Sequence, residues 1–247
     1  MNTTAALIST LVGYLLGSIS MARIIRRLAA PQADISSMEF GIDGLEDKVT
    51  SEAVSATSVS LHAGPRLGFA TAVLDMLKIA LPTWLVRGAY PEAPYYLLTA
   101  LFGMIGHVWP LYHRFKGGRG MSAVYGGMFA IDWVGVFVTS VGGMVFGLFI
   151  LRDMLVAYMA GFWFLIPWLW FRTHSVAHLA YAVAVNIVLL LGLIPEMKQY
   201  VRLRREGKGA DMSQVMQLTA MGRGMYKMAK RFGLLKVPPN TDDGQRN

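Results

Sequence analysis

The stretch GHVWPLYHRFKGGRGMSA, residues 106–123, carries two histidines, two arginines, a lysine and four glycines between long apolar runs. Adjacent glycines let backbone N–H groups approach an anion closely and supply left-handed backbone conformations. Lys116 and Arg119 add positive charge, and a guanidinium grips phosphate oxygens in pairs. A helix predicted to start just after Gly120 would aim its positive end back at the loop. Lys116, Gly117, Gly118, Arg119, Gly120 and Ser122 are therefore candidates to cradle a phosphate. A flexible, positively charged turn at a membrane surface is the bland alternative. His107 stands at the edge of an apolar run, where a histidine is costly and often functional. Asp75 and Lys78, in TAVLDMLKIALP, lie three residues apart on one predicted helix face. They form either a structural ion pair or part of a site. His174 and His178 have helical spacing but no acid to complete a metal motif.

These residues sit in a chain built for lipid. Hydrophobic residues make up 54% of it and charged ones 15%, and mean hydropathy is +0.44. A soluble domain carries about 25% charged residues. The apolar runs are continuous rather than alternating, which predicts an all-α integral membrane protein and not a barrel. Seven crossings are expected, at 5–25, 67–86, 95–112, 121–131, 133–150, 154–171 and 176–195, the fourth too short to span alone. There is no cysteine, which removes disulfides, thiolate metal sites and thiol nucleophiles. The first run lacks a basic leader, so it reads as a retained helix rather than a cleaved signal.

Positive charge orients the bundle. Of 23 Lys and Arg, 20 fall in the connections on one side; Arg87 and Arg172 lie on the other and Lys78 within a helix. The amino terminus is thus expected outside and the carboxyl terminus in the cytoplasm. Two cytoplasmic segments stand out. The loop 31–66 contains an acidic run in which Asp34, Glu39, Asp43, Glu46, Asp47 and Glu52 face only Lys48. The tail 198–247 holds eleven bases and four acids. Within it, Val215, Leu218, Met221, Met225, Met228 and Phe232 predict an amphipathic helix on an anionic inner leaflet. Its last residues read as disordered. Residues 1–197 form the expected membrane domain.

The elements YLLGSIS, LDMLK and GHVWPLYHRFKGGRG, in that order, resemble the bacterial acyl-phosphate:glycerol-3-phosphate acyltransferases, the PlsY family. One family motif reads close to G-H-x-x-P-x-F-x-x-F-K-G-G-K-G. Gly106, His107, Pro110, Phe115, Lys116, Gly117, Gly118 and Gly120 match it, while Arg119 stands for lysine and Tyr112 for an aromatic. The resemblance runs from about residue 14 to 195. It implies transfer of an acyl chain from acyl phosphate to the 1-hydroxyl of glycerol 3-phosphate, giving lysophosphatidic acid, with no cofactor, no metal and no nucleic acid. It implies a multi-pass protein of the bacterial inner membrane whose site faces the cytoplasm. His107 and Ser51 become the candidate catalytic residues. Ser18, Thr57, Arg66, Asp75 and Lys78 join the loop as candidate substrate ligands.

Two family motifs are altered. The first, G-S-G-N-x-G-A-T-N-x-x-R, survives as TSEAVSATSVSL (residues 50–61), in which Ser51, Ala56 and Thr57 match and Leu61 occupies the arginine position. The acidic run ahead of it would repel an acceptor phosphate unless those carboxylates point elsewhere, and His62 or Arg66 could compensate. The third motif, near H-R-x-N-I-x-R-L, corresponds to LIPEMKQYVRLRRE, which lacks its histidine and asparagine. An acyltransferase, a non-catalytic relative that binds lipid or acyl phosphate, and a small transporter remain the alternatives. Transporters show paired, broken-helix halves, and no such repeat is visible. Acyl-chain preference and oligomeric state are not legible.

Overall fold

The computed structural model describes residues 2–41, 48–151 and 154–205, together with Lys227, Lys230, Arg231 and Gly233. The expected tail helix and Asp43, Glu46 and Asp47 lie outside the described residues. In chain order the elements are α1 (Thr3–Gly17), α2 (Met21–Ala29), β1 (Met38–Gly41), β2 (Lys48–Ser51), α3 (Ala56–Ala63), α4 (Pro65–Ala89) and α5 (Tyr95–Val108). There follow a 3-10 turn (Leu111–His113), α6 (Met121–Ile131), α7 (Trp133–Val145) continued by a π-helical stretch (Phe146–Leu151), α8 (Met154–Trp163), α9 (Leu165–Thr173) and α10 (Val176–Arg205).

All seven apolar runs are helical, but not as seven uniform rods. Among the described residues, four spans are long and apolar enough to cross a bilayer by themselves: Thr3–Ala29, Pro65–Ala89, Trp133–Leu151 and Val176–Gln199. The first is not one continuous helix as expected. It breaks at Ser18–Ser20, where the Ser20 side chain accepts the Arg23 N–H (3.4 Å) and caps α2. The all-α expectation is also corrected in one place. The loop 31–66 contains an antiparallel hairpin pairing Met38 with Ser51 and Gly41 with Lys48. The expected domain boundary at 197/198 falls inside α10, which runs on to Arg205. Pro195 lies within that helix, its ring tolerated where neighbouring groups re-satisfy the backbone.

Burial departs from that of a soluble protein in what lies on the outside. Leu7, Leu11, Phe69, Trp84, Phe137 and Ile150 are exposed, whereas Thr71, Asp75, Lys78, Thr83, Thr99 and His107 are buried. That is the pattern of a bundle whose solvent is hydrocarbon and whose interior holds the polar groups. A core of Ile79, Met104, Val124, Met128, Phe162 and Val185 ties α4, α5, α6, α8 and α10 together.

The tightest packing joins α1 to α5. A Cβ added to Gly13 would meet the Thr99 backbone (Cα 2.9 Å), and one added to Gly17 would meet that of Gly103 (Cα 2.8 Å). Small residues let two membrane helices close to backbone contact, where van der Waals packing drives association. Tyr14 Oη donates to the Trp109 carbonyl (3.1 Å), and Ser18 Oγ accepts the Leu111 N–H (3.2 Å). The end of α1 therefore fixes the start of the loop carrying KGGRG.

Candidate functional site

Two linked polar clusters meet at the glycine loop. The inner one is buried between α4 and α5. Helical spacing puts Asp75 and Lys78 on one face, with Lys78 Nζ 2.8 Å from Asp75 Oδ1. Lys78 Nζ also donates to the Ile19 carbonyl at the α1–α2 break (2.6 Å) and lies 3.0 Å from His107 Nδ1. His107 Nδ1 is 3.5 Å from the same Asp75 oxygen. An ammonium has three donors and no acceptor. Here Nζ hydrogen-bonds the Ile19 carbonyl and the ring nitrogen and is ion-paired with Asp75, whose Oδ1 is buried without a hydrogen-bond partner among the described residues. Nδ1 is then the acceptor, and the neutral imidazole carries its proton on Nε2. Nε2 faces the glycine loop, because a Cβ on Gly118 would collide with it. With Lys78 charged and Nδ1 accepting from it, this tautomer turns an N–H donor toward the loop. Ser18, Ser20, Val54, Lys78, His107 and Gly118 line a cavity of about 10 Å³ there, room for about one water.

The loop's geometry corrects the sequence expectation about its glycines. Neither Gly117 nor Gly118 adopts a positive φ; the left-handed positions are Arg114, Phe115 and Gly120. Gly117 and Gly118 are needed for space instead. A Cβ on Gly117 would meet Pro110 Cδ and the Val108 carbonyl, each at 2.6 Å, and one on Gly118 would meet the His107 ring. The Gly118 N–H is also not directed at a ligand: it donates to the His107 carbonyl (3.1 Å). The Gly117 carbonyl accepts from Val54 N–H (3.0 Å). These bonds tie the loop to α5 on one side and to the altered first motif on the other. α6 does start at Met121, immediately after Gly120, with no side-chain cap on its first turn.

The outer cluster was not anticipated. Arg119 Nη2 donates to Ser51 Oγ (2.7 Å), Ser51 Oγ donates to Glu196 Oε1 (2.6 Å), and Arg119 forms an ion pair with Glu196. Burial lowers the Arg119 guanidinium to about 10, so it is cationic at neutral pH. One turn on, Gln199 pairs with the β2 backbone, accepting the Thr50 N–H (3.0 Å) and donating to the Thr50 carbonyl (2.8 Å). A signal for this was present. In H-R-x-N-I-x-R-L, Glu196 and Gln199 take the histidine and asparagine places, and Arg202 and Leu203 match the last two. The motif survives in spacing with its chemistry changed. Pro195 obscured it, because the sequence reading ended the helix there.

Lys116 is exposed and paired with Glu52 (2.7 Å), an acid at a position where the first family motif has glycine. The pair holds the Glu52 carboxyl below its ordinary range. Arg23, another residue the sequence reading passed over, donates from Nη2 to the Lys116 carbonyl (2.9 Å). Of the expected site residues, Ser18, Ser51, Asp75, Lys78, His107, Lys116, Gly117, Gly118, Arg119 and Gly120 come together. Thr57 and Ser122 are half-buried on α3 and α6, and Arg66 is exposed on the first turn of α4. None of these three enters the contacts above.

Comparison with known proteins bears on the family and the fold. The family model described as glycerol-3-phosphate acyltransferase matches residues 7–218. A glycerol-3-phosphate acyltransferase of Enterobacter sp. (strain 638) is 33% identical over 152 residues, 60% of this chain and 64% of that protein. One from Shigella flexneri is 33% identical over 153 residues, 60% of this chain and 63% of that protein. The chain thus matches a little under two thirds of the length of these relatives. The fold is that of PlsY (YgiH), an integral membrane glycerol 3-phosphate acyltransferase. Its glycerol 3-phosphate form superposes with TM-score 0.60 at 22% identity, over 83% of this chain and 94% of that one. The lysophosphatidic acid form gives 0.61, over 83% and 93%. With a family match from the first helix into the tail, an intact glycine loop and this shared fold, the chain belongs to the glycerol-3-phosphate acyltransferase family.

Proposed function

We propose that this protein moves an acyl chain from acyl phosphate to the 1-hydroxyl of glycerol 3-phosphate, releasing lysophosphatidic acid and phosphate. The observation that carries this reading is the inner cluster. Asp75 and Lys78 orient His107 so that its Nε2–H faces the loop of Lys116, Gly117, Gly118 and Arg119. An amphiphilic donor would lay its chain among the helices and its phosphate at that loop. The acceptor oxygen attacks the acyl carbonyl, the bond from carbonyl carbon to phosphate oxygen breaks, and the hydroxyl proton is carried off on the released phosphate. Charge builds on the carbonyl oxygen and then on the leaving phosphate. Donors held in place before the reaction stabilise it without reorganising. In this scheme His107 acts as a donor, with Nδ1 occupied by Lys78, rather than as the base. Ser51 and Arg119 stand where a second anion would enter. No cofactor or metal is invoked.

The topology belongs to the same proposal: seven crossings, amino terminus outside and the loop at the cytoplasmic face. It is supported by the one-sided distribution of Lys and Arg. α5 and α6, at 14 and 11 residues, are shorter than the roughly 20 a straight span needs, so they cross only with their flanking loops. The test is conversion of radiolabelled glycerol 3-phosphate by purified protein given acyl phosphate. Labelled lysophosphatidic acid, lost in His107→Ala, is the expected result. Binding of acyl phosphate without product would instead identify a non-catalytic relative.

A further inference from the structure

We propose that Glu196 sets how tightly this site holds an anionic substrate, by occupying on Arg119 the place a phosphate must take. The inference rests on the acyl-transfer reading for its substrate, but not for its physics. Three cations of the clusters and loop already face a carboxylate among the described residues: Lys78 with Asp75, Lys116 with Glu52, Arg119 with Glu196. The first pair is buried and builds the His107 support. The second is exposed and screened. Only the third joins a loop cation to an acid from a distant helix in a half-buried setting, with side chains 18% and 21% exposed.

Ser51 shows how the carboxylate is held. Its hydroxyl accepts from Arg119 and donates to Glu196 (2.7 and 2.6 Å), so one buried group reports which partner the arginine has. Glu196 Oε2 is buried without a hydrogen-bond partner among the described residues. A buried acceptor in that state costs free energy, so the carboxylate is held in place less firmly than a fully satisfied one. An incoming phosphate offers Arg119 and Ser51 the same contacts with more charge and more acceptor oxygens. It must first displace Glu196. Where the family pattern has histidine, which carries no negative charge, this chain has an internal anion. Glu196 is therefore a residue that acts on substrate through Arg119.

Two uncharged variants, Glu196→Gln and Glu196→Ala, test this in detergent or nanodiscs, and either suffices if the other does not fold. Inorganic phosphate binding to the protein alone is measured by calorimetry, and KM for glycerol 3-phosphate by turnover. Phosphate affinity should rise by about fivefold or more at low salt, as expected for removing one competing charge at contact distance. KM for glycerol 3-phosphate should fall by a similar factor while kcat does not rise with it. The gain should shrink as salt is added, and it should vanish in an Arg119→Ala background. Unchanged or weaker phosphate binding, or an equal gain without Arg119, would overturn the proposal. Absence of turnover with a gain in phosphate affinity would refute the acyl-transfer reading and leave this one standing.

Discussion

Replacing Gly118 by alanine separates two explanations of a glycine loop. The backbone at Gly118 is in an ordinary region, so no conformational penalty attaches to the substitution itself. The penalty comes from the His107 ring, with Cε1 3.0 Å and Cδ2 3.2 Å from the added Cβ and Nε2 closer still. The ring cannot swing aside freely. Lys78 Nζ holds Nδ1 at 3.0 Å, and the Gly118 N–H holds the His107 carbonyl at 3.1 Å. Overpacking of this kind costs about 1–3 kcal/mol. If it is relieved by moving the loop away from Nε2, the lost alignment corresponds to a rate decrease of roughly five- to hundredfold. The assay is kcat for lysophosphatidic acid formation beside a melting temperature in detergent. The decisive arm is a double-mutant cycle. In a His107→Ala background the ring is gone, so Gly118→Ala should add little further loss. Wild-type activity and stability in Gly118→Ala, or the same loss with and without the ring, would refute the steric argument.

Asp75→Asn leaves Lys78 buried without its counter-charge, and a broken buried pair costs about 3–5 kcal/mol. Its melting temperature should fall sharply, while the exposed Lys116→Gln should cost under about 1 kcal/mol. The Lys116–Glu52 tie also predicts a pH dependence. The folded-state pKa of Glu52 is depressed, so its contribution is present above the unfolded value of about 4.3 and is lost as pH falls through the folded one. Glu52→Gln should therefore lower the melting temperature slightly near pH 7, by an amount that shrinks as pH falls below about 4.3. A single cysteine at Lys116, in a chain with no other, should escape a membrane-impermeant thiol reagent applied outside intact cells. Labelling there would reverse the topology.

The solvent was legible from composition, because a chain with 54% hydrophobic residues must leave them facing something apolar. Helices followed from continuous runs, and the proposed orientation rests on charge that does not cross lipid. Within the site, Asp75 and Lys78 were readable as a pair because three-residue spacing is a local property of a helix. The glycine loop was readable as a motif for the same reason. What spacing could not supply is distance between elements. Nothing in KGGRG says that Gly118 faces an imidazole, since that depends on α5 ending where Gly13 and Gly17 let α1 close on it. Nor does Pro195 in the sequence reveal that α10 continues and brings Glu196 to Arg119, 77 residues earlier in the chain. Local rules place charges along a helix. Only the packing of α10 against the β2–α3 segment and the loop decides that a loop arginine meets an acid instead of open water.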